Sequence, residues 1–300
     1  MRLHFSNVNF SSNTGPNSFG TRLADVLTVR GHQIVSKNEE YDVFLCFIEP
    51  ASEPRKTAKF IHRLDGIWFK PEQYETHNTR IKWAYENAHH VVWQSEFDKK
   101  MTEKWWGNKA GSVVHNGIKI ERVKISPQLE NLKRQSNRIF SCSANWHRQK
   151  RLKENIQLFQ KVASSDDRLI VLGSNPDHIV NDPRVIYAGS QPHQTCLEVY
   201  AISDWFLHLS WLDHCPNVVV ESLSQGCPVI CTESGGTKEI VRDNGLIIKE
   251  KHQYQFQLCD YDNPPDIDLD DIDLSVRQIV QNNHLDIEKI CDQYENIFKK

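Results

Sequence analysis

Short apolar runs alternate along the first half of the chain with stretches whose apolar residues recur at helical spacing. Leu3–Val8 predicts a strand, Asn9–Asn17 a polar loop, and the residues from about Ser18 to Arg30 a helix that Gly31 ends. Gln33–Ser36 reads as a short strand, and Tyr41–Ile48 and Ala58–Leu64 as strands buried on both faces. Arg80–Ala88 follows as helix, His90–Trp93 as strand, and Ser95–Trp105 as helix with Ser95 and Asp98 spaced as a capping box. Ser112–His115 gives the last strand of the series. Apolar strands alternating with helices predict a parallel, doubly wound sheet.

The pattern breaks from Lys119 to Asn137, a polar stretch with Pro127 and mixed charges, and then restarts. Arg138–Ser143, Arg168–Leu172, Val185–Tyr187, Trp205–Leu209 and Pro228–Cys231 read as strands. Leu152–Ala163, His193–Ile202, Pro216–Gln225 and Gly236–Arg242 read as helices. The expected organisation is an N-terminal Rossmann-like domain over residues 1–120, a linker over 121–137 and a second such domain over 138–264. Residues 265–300 form an acidic linker and C-terminal helices from about Ser275, returning to the first domain. The expected class is therefore α/β, with two Rossmann-like doubly wound domains facing across a cleft. In the tail, Leu285, Ile287, Ile290, Tyr294, Ile297 and Phe298 recur on one helical face, which must be buried against something.

Composition narrows the function classes. Lys+Arg 36 against Asp+Glu 39 leaves a net charge of −3, so no global field draws in nucleic acid or an anionic membrane. The longest apolar stretches, such as Val43–Ile48, are too short to span a bilayer, and no transmembrane segment is expected. Met1–Ser6 lacks the apolar core of a signal peptide, so a cytoplasmic location is expected. The eight cysteines are scattered without a Cys-x-x-Cys pair, which reads as reduced, mostly buried thiols.

The informative stretch is Leu209–Val241, L-S-W-L-D-H-C-P-N-V-V-V-E-S-L-S-Q-G-C-P-V-I-C-T-E-S-G-G-T-K-E-I-V. Pro216 suits a first helical turn, and the amides around Asn217 and Val218 then suit a diphosphate. Glu221 lies more than a turn further along, where a carboxylate can hold two ribose hydroxyls. Asp213, ahead of the helix, is placed for hydroxyls of a transferred sugar. Ser234-Gly235-Gly236 supplies a second tight turn that allows close backbone approach to a sugar or phosphate.

This stretch resembles the retaining GT-B glycosyltransferases of family 4, the glycosyl transferases group 1 type, whose hallmark is Glu, seven residues, Glu. Asp213 stands in the first position and Glu221 keeps the second; G-C-P-V-I and G-G-T-K-E-I-V also match. A second match is Ser141–Leu152, S-C-S-A-N-W-H-R-Q-K-R-L. The family carries Gly-Arg at this strand end and a Lys shortly after, both on the donor diphosphate. Lys150 falls on the Lys position, Asn145 replaces the Arg, and Arg148 is the candidate replacement cation; a solvated helix start explains the same basic residues. The resemblance places Gly15, in the loop Thr14–Gly20, near the donor phosphates. It places His62 near the reacting centre and Asp65 on the acceptor side, although a lone histidine is more often structural. Gln94-Ser95 and Asn116-Gly117 match family strand ends that shape the cleft.

The resemblance implies a catalytic set of Asp213, His62 and Lys150. The donor set is Glu221, Arg148, Lys150, Asn217, Val218, Gly235, Gly236 and Gly15. The implied substrate is a nucleoside diphosphate sugar with a glycan or other hydroxyl acceptor, and no metal or further cofactor. Asp266, Asp268, Asp270, Asp271 and Asp273 form overlapping D-x-D patterns of the kind that ligate metal in GT-A enzymes. Following two prolines outside any strand–turn context, they read as a solvated acidic loop. Asp213 and Asn145, both departures from the family pattern, leave two rivals open: a nucleotide- or glycan-binding module without turnover, and a nucleotide-sugar epimerase.

Overall fold

The computed structural model describes residues 1–12, 14–270, 272–274, 280–281 and 283–299. The chain folds as two compact units, one of Met1–Lys119, Gln255–Asp260 and the end of the chain from His284, the other of Ile120–Tyr254 and Tyr261–Asn283.

The first unit is built on six parallel strands: β1 (Arg2–Ser6), β2 (Gln33–Ile34), β3 (Val43–Phe47), β4 (Lys59–Leu64), β5 (His90–Trp93) and β6 (Gly111–Val113). Their order is β2-β1-β3-β4-β5-β6. Every residue of β3 is buried, which is why it reads as an unbroken apolar run. Helix α1 (Gly15–Val29) begins three residues earlier than its apolar period suggests. Pro16 sits in its first turn, where no amide hydrogen is needed. Helix α2 (Pro71–His77) was not predicted, because it has no buried residue and hence no stripe to read. Its end is pinned by Asn78, which accepts from Trp68 N at 2.9 Å and donates to the Trp68 and Tyr74 carbonyls. After α3 (Thr79–Asn87), helix α4 (Glu96–Trp106) starts as the capping residues require: the Ser95 hydroxyl accepts from Asp98 N at 3.2 Å.

The second unit begins with α5 (Pro127–Arg134), inside the stretch expected as a linker. Pro127 opens this helix rather than breaking the chain. Glu198 accepts from Ser126 N at 3.0 Å, and Lys133 pairs with Asp204. Six parallel strands follow: β7 (Ile139–Asn145), β8 (Arg168–Ser174), β9 (Val185–Gly189), β10 (Trp205–His208), β11 (Val229–Thr232) and β12 (Gly245–Ile248). Their order, β9-β8-β7-β10-β11-β12, is the doubly wound 3-2-1-4-5-6 arrangement. Helices α6 (Leu152–Val162), α7 (His193–Ile202), α8 (Asn217–Ser224) and α9 (Thr237–Val241) connect them. Strand β12 went unpredicted because only Leu246, Ile247 and Ile248 mark it. Gly245 opens it where a Cβ would overlap the Val229 carbonyl.

The acidic tail corrects another expectation. Ile267 is buried and bridges to Glu250 in antiparallel fashion, and Leu269, Ile272 and Leu274 pack against the core of the second unit. Asp266, Asp268 and Asp270 alternate outward, with Asp270 on Lys161, so this is an amphipathic strap rather than a solvated loop. Asp271, Ser275, residues 276–279 and Lys300, part of the tail and helix expectations, lie outside the described residues. The last helix, α10 (Ile287–Lys299), belongs to the first unit. It buries Ile290, Tyr294, Ile297 and Phe298 in one cluster with Phe19, Leu23 and Leu27 of α1. Arg30, at the end of α1, reaches Glu288, Asp292 and Glu295 of α10.

Candidate active site

In a doubly wound sheet, ligands settle beyond the carboxyl ends of the strands where the strand order reverses. In the second unit that place lies between β7 and β10. Beyond β7, Arg148–Lys150 forms a 3₁₀ turn; beyond β10, residues 209–216 loop towards α8. The two are sewn together by Gln149, whose carbonyl accepts from Trp211 N at 2.9 Å and whose amide donates to the Trp211 carbonyl at 2.9 Å. Across this seam Lys150 Nζ lies 2.6 Å from Asp213 Oδ2, and His208 Nε2 lies 3.2 Å from the same oxygen. Burial pushes the Asp213 carboxyl up, but Lys150 and His208 outweigh it and hold the group well below the usual carboxylate range. Burial lowers the pKa of His208, partly offset by Asp213.

The main chain of Asp213 is fixed separately. Gly236 N donates to the Asp213 carbonyl at 2.7 Å. Gly235, at φ +77°, passes so close that a Cβ would stand 2.5 Å from that carbonyl oxygen. Both glycines therefore serve Asp213, and the Gly236 amide, assigned to donor from the sequence, is already engaged. Helix α8 starts at Asn217, with Pro216 as its extended cap rather than its first residue. Asn217 and Val218 occupy the first two helical positions, at the end of the helix that carries its partial positive charge. One turn on, Glu221 is buried, with Oε1 3.2 Å from His193 Nε2 at the start of α7.

Beneath this surface lies a brace that the sequence did not disclose. Arg151, at φ 53°, is buried and forms two parallel bonds to Glu250, at 2.8 and 3.1 Å. It also donates to the Leu209 and Pro265 carbonyls, and Ser234 donates to Glu250 at 2.7 Å. One ion pair thus ties the loops beyond β7, β10 and β11 to the returning strap. Read along the chain, Arg151 was one of four basic residues at a helix start, and Glu250 carried no motif. His208 was missed as well; its signal was a histidine closing the otherwise apolar run W-F-L-H. Asn145 accepts from Ser174 and Asn175 at 2.8 and 3.0 Å, so it holds the loop beyond β8. Arg148 is exposed and, among the described residues, makes no side-chain hydrogen bond or ion pair.

The candidates of the first unit are placed differently. His62 has no exposed surface; its Nε2 is 2.6 Å from the Ile48 carbonyl, and burial pushes its pKa down to about 4. A side chain without exposed atoms does not touch substrate in this conformation; His62 instead supports the turn at Ile48, whose φ is 63°. Asp65 is likewise committed, pairing with the buried Arg63. Arg63 lies over the Phe19 and Phe47 rings at 4.3 and 5.0 Å and donates to Asn116. Gly15 is exposed at the start of α1. Among the described residues, no three His, Cys, Asp or Glu side chains gather to hold a metal ion, and no helix is long and apolar enough to cross a membrane.

Two parallel-sheet Rossmann-like units of this kind define the GT-B class of fold. Solved glycosyltransferase structures align over almost the whole chain. HepE of Anabaena in complex with UDP-glucose aligns at TM-score 0.68 and 15% identity, covering 100% of this chain and 99% of that one. Sucrose-phosphate synthase of Thermosynechococcus elongatus aligns at TM-score 0.72 and 12% identity, covering 99% and 98%. Residues 136–257, which contain the whole Lys150–Asp213–Glu221 set, match the family model described as Glycosyl transferases group 1. A curated relative, the N-acetyl-alpha-D-glucosaminyl L-malate synthase of Bacillus anthracis, is 29% identical over 159 residues. That match spans 47% of this chain and 40% of the relative.

Proposed function

We propose that the chain is a retaining glycosyltransferase that moves a sugar from a nucleoside diphosphate sugar to a hydroxyl acceptor in glycan or glycoconjugate synthesis. The observation that carries this reading is the Lys150–Asp213 pair at the sheet's switch point, followed directly by α8 with Glu221 one turn inside it. Glu221 holds the ribose, exchanging its contact with His193 for the two hydroxyls. The amides of Asn217 and Val218, with Arg148 and Lys150, receive the diphosphate. Asp213 accepts from a hydroxyl of the transferred sugar. The bond from the anomeric carbon to phosphate breaks with its electron pair on the diphosphate. The acceptor oxygen bonds to that carbon from the same face, and its proton passes to the departing phosphate oxygen. The chain's contribution is positioning and fixed positive charge around the leaving group. Two cations and a helix N-terminus supply that charge, so the reaction is proposed to need no metal and no further cofactor.

HepE is solved with UDP-glucose, which favours uridine donors as the first to test. A thermal-shift screen of uridine and guanosine diphosphate sugars is the test. A donor at ~100 times its dissociation constant adds about 2.7 kcal/mol to the unit that binds it. No stabilisation by any donor would count against the reading. One observation favours a second reading, a binding module without turnover: Asn145, where the resembled family has a cation, is spent on Ser174 and Asn175. Release of free sugar or glycoside from a bound donor separates the two. A cytoplasmic location, where soluble sugar nucleotides serve as donors, is part of the same proposal.

A further inference from the structure

His208 ends a strand whose other residues are Trp205, Phe206 and Leu207, all buried. A histidine there gives up its hydration, and such a group persists only where its ring nitrogens find partners. Its bond is to Asp213 Oδ2, and because that carboxylate is held ionised it only accepts, so His208 Nε2 carries the hydrogen. The main chain of Asp213 does not need this bond, since Gly236 N fixes its carbonyl and the Gln149–Trp211 pair fixes the loop before it. What His208 adds is the aim of the carboxylate. The last torsion of an aspartate is broad and roughly two-fold, so one partner on a flexible stem leaves it loosely defined.

Lys150 is such a partner. Its side chain keeps 22% of its surface exposed, and in the reading above it also serves the diphosphate. His208, only 4% exposed and stacked at 15° on Phe206, cannot follow it. Both take Oδ2, and Oδ1 makes no hydrogen bond among the described residues. We infer that His208 is a positioning residue, anchoring Asp213 by Oδ2 so that Oδ1 faces a hydroxyl of the transferred sugar when Lys150 turns to the diphosphate. Asp213 is one methylene shorter than the Glu expected at this position, so its reach depends more on a fixed aim. The inference rests on the donor-site reading.

The test uses the full chain and a sugar nucleotide that the wild type turns over. His208→Phe keeps the ring and removes the donor; His208→Gln places an amide N–H near the Nε2 position. The expected result for His208→Phe is a fall in kcat of roughly 10- to 100-fold, the worth of one hydrogen bond to a charged group. The donor KM and the dissociation constant of the free nucleoside diphosphate stay within about twofold, because the ribose and phosphate contacts are untouched. His208→Gln restores most of kcat. His208→Met replaces the Phe variant if the larger ring disturbs the strand, with nucleotide binding as the check on folding. An unchanged kcat in the variants lacking the donor overturns the inference. So does a joint loss of nucleotide binding and kcat that Gln does not repair, which marks a structural residue. If the wild type binds nucleotide but turns over no donor, the transferase reading itself falls, and the role of His208 with it.

Discussion

The buried Arg151–Glu250 pair offers the sharpest test of how the site is held. Arg151→Met keeps the aliphatic stem and a side chain on the same left-handed backbone, so volume and backbone cost change little. What it removes is the cation that faces a carboxylate with 1% side-chain exposure. Glu250 would keep only the Ser234 hydroxyl at 2.7 Å, and the Leu209 and Pro265 carbonyls would lose their donor. Breaking a buried pair from one side costs about 3–5 kcal/mol. At about 2–4 °C per kcal/mol, that lowers the melting temperature by about 6–20 °C. Calorimetry, which resolves the transitions of separate units, is the assay. The double variant Arg151→Met, Glu250→Met removes both charges, and it should recover most of the loss, because a well-packed apolar replacement of a buried ion pair is often neutral. If Arg151→Met costs under about 1 kcal/mol, or the double variant is worse than either single, the pair does not brace the loops as described.

Glu221→Ala should weaken nucleotide binding in a protein that still melts cooperatively; calorimetric titration with a nucleoside diphosphate that shows unchanged affinity would remove the ribose assignment. Chelator should leave donor binding and turnover intact; activity lost with EDTA and restored by manganese or magnesium would refute the metal-independent mechanism. His62, neutral in the fold with its pKa pushed from 6.5 to about 4, takes up a proton first in the unfolded chain. Stability present above pH 6.5 is therefore lost as pH falls towards 4, and His62→Gln should flatten that part of a plot of urea midpoint against pH. An identical slope in the variant would rule His62 out as the group responsible. Tyr294→Ala, emptying a fully buried site in the α1–α10 cluster, should cost about 3–5 kcal/mol in the first unit; a loss under about 1 kcal/mol in denaturant unfolding would mean α10 is not part of that core.

The doubly wound class was legible because a strand buried on both faces cannot hide. Val43–Phe47 is apolar at every position, and Gly31 stops the helix before it, so period and punctuation agree. The elements that escaped have weak versions of those signals. Helix α2 buries nothing, and its end is held by Asn78, whose bonds to Trp68 have no sequence period. The alternation I-x-L-x-x-I-x-L after Pro265 was masked by the aspartates between, which look like a metal motif when the carboxylates are read without their neighbours.

The site divides along the same physical line. Residues proposed for the donor site are visible in sequence through local spacing: Asp213, Pro216 and Glu221 are spaced by one loop and one helix, and Lys150 lies one turn beyond a strand end. Residues that act by holding others are not visible, because their pairing follows no sequence period. Arg151, beyond β7 in the middle of the second sheet, finds Glu250 beyond the edge strand β12, and Gly235 matters because Asp213 runs beneath it. His62 and Asp65 show the converse, since the family resemblance suggested chemistry while burial and the Arg63 pair commit both side chains to the frame. A motif therefore names the residues that the site presents, and only packing reveals those that keep them in place. On that argument the Asp213 carboxylate depends on two kinds of partner: a mobile cation that the motif announces, and a fixed imidazole that it does not.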